Sequence, residues 1–156
     1  MMFRAGIART IVKKLPENLK IVGALSTIDP INAHICEIEL VSTIKLGDLY
    51  DEIEKNNDII NVILLDDKRF SFEINHEGVY YPVIVWYTTK ENKPFMLFSK
   101  RGAKGWIIGM RKIAKSMGLK LSEYGMYQDD KRMNITSERG IFRALGKPYK
   151  VPSLRK

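Results

Sequence analysis

Apolar positions recur along this chain with two different periods. In "RAGIARTIVKKL", Ile7, Ile11, Val12 and Leu15 return at helical spacing, and "PEN" follows as a stop. "LKIVGAL" predicts a short strand that runs into the loop "STIDPINAH". "ICEIELVST" predicts a second strand. "LGDLYDEIEKNND" reads as a helix with Leu49 and Ile53 inward and its acids outward. "IINVILL" and "RFSFEIN" alternate as strands, "HEG" is a turn, and "VYYPVIVWYTT" completes a hairpin. "NKP" then marks a joint near residue 92. Beyond it the pattern predicts a strand "FMLF", a loop "SKRGAKG" and a helix "KGWIIGMRKIAKSMG" closed by Gly118. A strand pair "LKLSEYGMY", a short capped helix "TSERGIFRALG" and an extended tail "KPYKVPSLRK" complete the chain.

The helix after the joint has two faces. Trp106, Met110, Ile113, Ala114 and Met117 fall on one, which reads as core. Lys104, Arg111 and Lys115 fall on the other. Charge reinforces this division. The net charge of the 156 residues is +8. Residues 1–90 hold 10 Lys/Arg against 13 Asp/Glu, a net of −3, and residues 91–156 hold 16 against 5, a net of +11. A basic half points to a polyanion as partner, with a surface kept basic for solubility as the plainer alternative. No apolar run is as long as a membrane span. The N-terminus lacks the apolar core and cleavage site of a signal peptide. One cysteine, Cys36, leaves no internal disulfide and fits a reducing compartment.

The candidate chemistry begins in "CEIEL". Glu37 and Glu39 are two apart, so on a strand they share a face. Two carboxylates there repel, which a divalent cation or a solvated edge would relieve. The same alternation sends Cys36 to the other face, as a core thiol. His34 and His76 fall on loops and read as surface residues, and the acidic helix reads as a solvated face.

"GLKLSEYGMY" followed by "TSERGIFRALGKPYKVPSLR" resembles the thumb of family X DNA polymerases, the small repair polymerases related to polymerase beta, and bacterial and viral members above all. The segments come in family order and spacing. The first half is similar to that family's nucleotidyltransferase palm: a helix, a strand ending in "VGAL", then a strand with paired acids. The resemblance implies an α+β fold, with a mixed-sheet palm over 1–91 and a small α/β thumb over 92–156. It covers nearly the whole chain and lacks the upstream lyase and fingers modules.

In that family an Asp-x-Asp pair and a third Asp hold two divalent ions. The resemblance places Glu37 and Glu39 at the pair, as catalytic and Mg²⁺- or Mn²⁺-binding positions, and Ile84 at the third. Nucleotide-binding positions fall on Gly23, with Ala24 beside it, and on Ser26 and Thr27, after a loop longer than usual. The motif near the incoming sugar reads Ser99-Lys100-Arg101-Gly102. These departures imply a degenerate site with no metal cofactor. DNA-binding residues are expected at Lys100, Arg101, Gly102, Lys104, Arg111, Lys112, Lys115 and Tyr124, of which the resemblance sets Arg111 and Tyr124 on positions of the family's own pattern. Gly102 and Gly105 would bring backbone amides to a phosphate. The expected function is a DNA-binding accessory in repair or replication, cytoplasmic or nucleoid-associated, with viral coding included. One alternative is an active minimal polymerase that uses Glu37, Glu39 and a recruited Glu73. The other is a non-catalytic scaffold in a larger replication or packaging complex, with other replication or repair proteins as partners.

Overall fold

The computed structural model describes residues 1–27 and 33–156, so part of the loop expected over 26–34 lies outside the described residues. The chain forms two compact units, Met1–Thr88 and Thr89–Lys156.

The first unit opens with β1 (Phe3–Arg4) and α1 (Ala5–Val12), then β2 (Lys20–Val22) and a short α2 (Ala24–Thr27). Helix α2 begins two residues before the point where a loop was expected to start. β3 (His34–Ile35) pairs antiparallel with β1, Arg4 opposite His34. β4 (Ile38–Ser42), α3 (Leu46–Glu54), β5 (Ile59–Leu64), β6 (Arg69–His76) and β7 (Val79–Tyr87) follow. The five-stranded sheet runs β2-β4-β7-β6-β5. Only its β4–β7 pair is parallel, so the sheet is mixed.

Alternation along these strands decides what the sheet buries. Ile38, Leu40, Phe70, Phe72, Val83 and Val85 are buried in one core with Ile11 of α1 and Leu49 and Ile53 of α3. Each such side chain contributes about 1.5–3 kcal/mol relative to exposure. The acids of α3, Asp48, Asp51, Glu52 and Glu54, are exposed as the sequence predicts. Glu39, Ile84, Ser71 and Glu73 alternate onto the sheet's other face and are half-buried.

The expected single strand "ICEIELVST" is two. Cys36 and Glu37 form a bend between β3, which pairs with β1, and β4, which pairs with β2 and β7. Alternation does not carry across that break. Cys36 is therefore exposed, not a core thiol. Glu37 is exposed ahead of β4 and shares no strand face with Glu39. His34 and His76 lie at strand positions; His34 is exposed, and half-buried His76 meets Lys14 Nζ at 2.7 Å through Nδ1.

The second unit holds α4 (Lys93–Lys100), α5 (Lys104–Ser116), β8 (Leu119–Ser122), β9 (Gly125–Gln128), β10 (Lys131–Arg132), α6 (Glu138–Ala144) and a 3₁₀ turn at Pro152–Leu154. "FMLF" is thus helical, not a strand. Pro94 sits in the first turn, where its missing N–H costs nothing, and Phe95, Met96, Leu97 and Phe98 are buried all round. A four-residue apolar run carries no period that separates the two readings. Phe95 and Phe98 join Met110, Ala114, Leu119, Leu121, Met126, Ile141, Phe142 and Leu145 in a second core. Trp106 packs against that core as expected. Met117 does not: it lies at the helix end and is exposed. Ser137 caps α6, its Oγ accepting the Gly140 N–H at 3.0 Å. The tail is not simply extended, because its 3₁₀ turn carries Arg155 into full burial.

Candidate functional site

Two surfaces collect the residues singled out by sequence. The first is the sheet face of β4 and β7. Parallel pairing sets Glu39 beside Ile84, and antiparallel pairing sets it beside Val22. Gly23 follows Val22 with φ +65°, in the left-handed region. The Glu39 carboxylate lies so close to the Gly23 Cα that any Cβ there would overlap Oε2. Half-buried Ser26 bonds within its own turn: its hydroxyl donates to the Gly23 carbonyl at 2.6 Å. Arg9 donates to the Leu25 carbonyl at 3.1 Å and ties α1 to the same turn.

Glu73, the alternative carboxylate, pairs with Pro82 and accepts from Asn61 Nδ2 at 2.6 Å. It stands two strands from Glu39, about 10 Å across the sheet at the usual strand spacing. Among the described residues, no three His, Cys, Asp or Glu side chains gather closely enough to hold a metal ion.

The second surface is the outer face of α5. Lys104, Arg111, Lys112 and Lys115 are all exposed, while Met110 and Ala114 on the inner face are buried. Lys104, Arg111 and Lys115 lie within about 40° of one another around the helix and span about 16 Å along it. A row of cations at that pitch is chemically suited to a run of phosphates. Ile108 lies within the same stripe and is 44% exposed. Sequence reading passed over it, although its place four residues after Lys104 was the available signal.

The link between α4 and α5 is built differently from expectation. Arg101 donates to Glu138 Oε2 at 3.2 Å, so its guanidinium serves an internal ion pair. At Gly102 a Cβ would stand 2.9 Å from the Trp106 ring and 3.1 Å from the Arg155 Cβ. That glycine is required by packing. At Gly105 a Cβ would meet nothing within 4 Å, so packing does not require that glycine. Lys100 is half-buried and Tyr124 is exposed. Tyr124 lies in the β8–β9 turn, where Arg132 donates to its carbonyl.

Comparison with known proteins meets this geometry at both units. Residues 96–156 match the family model of the DNA polymerase beta thumb. The repair DNA polymerase X of African swine fever virus is 24% identical over 151 residues, covering 93% of this chain and 85% of the relative. A second isolate's enzyme is 22% identical with the same coverage. The crystal structure of Leishmania infantum polymerase beta in a ternary P/T complex superposes with TM-score 0.83. That match has 16% identity and covers all of this chain and 77% of the other. The chain is a family X polymerase-like protein. The ternary gap complex of the Leishmania infantum enzyme superposes equally well, over 71% of its chain. In this polymerase X-like chain the thumb is the better-marked half, since the family model matches there. No helix among the described residues is long and apolar enough to cross a membrane.

Proposed function

We propose that this chain is a DNA-binding protein derived from a family X DNA polymerase, with a degenerate catalytic site, and that it acts as an accessory in DNA repair or replication. The observation that carries the reading is the exposed Lys104–Arg111–Lys115 row on the outer face of α5. Its pitch along the helix suits successive phosphates of one strand. The loss of catalysis is supported by the neighbours of Glu39. Its partner across β7 is Ile84, and Glu37 stands off the strand. Two ions about 4 Å apart need several carboxylates converging on one point. The donor set on this sheet face does not fit such a pair, so we infer no Mg²⁺ or Mn²⁺ centre of that kind. The African swine fever virus relatives are repair polymerases, and the Leishmania infantum enzyme forms ternary P/T and gap complexes. A primed or gapped duplex is accordingly the substrate class we assign.

The test joins primer extension in Mg²⁺ and in Mn²⁺ to binding measured against salt. Binding with a steep salt slope and no extension above background is expected. Extension abolished by Glu39→Ala would overturn the degenerate site, and absence of binding at low salt would overturn the DNA-binding role and favour a scaffold.

A further inference from the structure

Arg155 is the one fully buried charged side chain among the described residues. Its guanidinium is enclosed by the rings of Phe98, Trp106, Phe142 and Tyr149, at 5.1–5.8 Å. Burial of a cation is costly unless it is paired and hydrogen-bonded. Here the pairing is specific. Nη1 donates to Glu138 Oε1 at 2.8 Å and to the Arg101 carbonyl at 2.9 Å, and Nε donates to the Lys150 carbonyl at 2.9 Å. The other Glu138 oxygen receives Arg101.

These bonds converge on one short segment. Residues 101–103 join α4 to α5. The Arg101 carbonyl is held by the Arg155 side chain. The Ala103 N–H donates to the Arg155 carbonyl at 2.8 Å. Between them Gly102 lies against the Arg155 Cβ and the Trp106 ring. Ala103 is the N-cap residue of α5, and its carbonyl accepts the first helical bond, from Ile107, at 3.1 Å. Its methyl cannot cap the helix, so no side chain fixes this end locally. The helix start that carries Lys104 is thus fixed from the tail.

We propose that Arg155 is a positioning residue for nucleic-acid binding. Through Glu138, Arg101 and Ala103 it sets the first turn of α5, and so places Lys104 in line with Arg111 and Lys115. This rests on the DNA-binding reading above. Arginine is required because one planar group must serve the Arg101 carbonyl, the Lys150 carbonyl and the carboxylate together. Lysine supplies the charge at a single point and cannot span those acceptors.

The experiment uses the full chain with Arg155→Met, Arg155→Lys and Lys104→Ala, each alone, and Lys104→Ala combined with Arg155→Met. Two quantities are read: affinity for a gapped duplex across a salt series, and amide hydrogen exchange at Gly102 and Ala103. Circular dichroism selects the variants and temperatures at which the chain is folded. Arg155→Met and Arg155→Lys should both speed exchange at Ala103. Both should flatten the slope of log K against log salt by up to the one contact Lys104 supplies, roughly 0.7–0.9. In the Lys104→Ala background the further effect of Arg155→Met on affinity should largely vanish, because both act through one contact. Additive losses, or folded variants with unchanged Ala103 exchange, overturn the proposal. If Arg155→Met does not fold, the same exchange and slope criteria are applied to Arg155→Lys, and unchanged values there are equally decisive. If wild type binds no DNA, the functional reading fails, while exchange at Ala103 still shows whether Arg155 fixes the helix start.

Discussion

The two units treat their charged residues in opposite ways. In Met1–Thr88, two glutamates two positions apart are placed differently: Glu37 lies in the irregular segment ahead of β4, and Glu39, on the strand, stands beside an isoleucine. In Thr89–Lys156, three cations spread over twelve positions are brought into one row by the helical period. A two-ion centre needs all its ligands at one point, so a single missing or misdirected carboxylate removes most of its worth. A row of phosphate contacts is nearly additive, so each cation keeps its share when others change. Sequence drift therefore erodes the first kind of site abruptly and the second gradually. Under the function proposed above, that difference accounts for a basic face kept in one unit and a carboxylate frame lost in the other.

The largest expected effect lies on the basic face. Replacing Lys104, Arg111 and Lys115 together by alanine should flatten the salt slope by roughly 2–3 and cost about 100-fold or more in affinity at low salt. The loss should be similar for unrelated duplex sequences, because phosphates carry no base information. A folded triple variant with the wild-type affinity and slope would make the stripe a solvated surface and break the comparison. A smaller effect is expected on the sheet face. Ile84→Asp puts a second carboxylate beside Glu39 on a half-buried strand, and should destabilise the chain by about 2 kcal/mol in denaturant titration. It should not restore extension, since Ser26 stays bound to its own turn and Glu37 stays off the strand. Polymerase activity from this one change would show that the frame was nearly intact. The smallest effect sharpens the contrast. Glu39→Gln keeps the size of a half-buried side chain that is not a member of the phosphate row, and should leave DNA affinity within about twofold. A large gain or loss on this substitution in the binding assay would mean that the sheet face takes part in the complex.

Much of this architecture is legible because it is local. The inner face of α5, the Leu49–Ile53 face of α3 and the β6–β7 hairpin repeat their period over enough residues to be unambiguous. The cap at Ser137 needs only its own first turn. The resemblance in "GLKLSEYGMY" and "TSERGIFRALGKPYKVPSLR" falls in the stretch where the thumb model matches. The β4–β7 register sets Glu39 beside Ile84, the residue that the resemblance put at the third ligand position.

Other features were decided only by distant partners. Four apolar residues at Phe95–Phe98 suit either a strand or a helix, and burial on every side settled the helix. The break at Cys36–Glu37 exists because β3 answers to β1 while β4 answers to β2 and β7, and no pattern within nine residues encodes two different neighbours. Arg101 reads as a free cation next to other cations, yet it is held by a glutamate 37 positions away. Arg155 reads as part of an extended tail, yet it is the charge at the centre of four aromatic rings. Sequence alone determined the period of each element and the sign of its charge, because both depend on neighbours a turn or a residue pair away. Tertiary structure decided which charges are spent inside the protein and which face solvent, because an ion pair forms only where the fold brings its two members within a few ångströms.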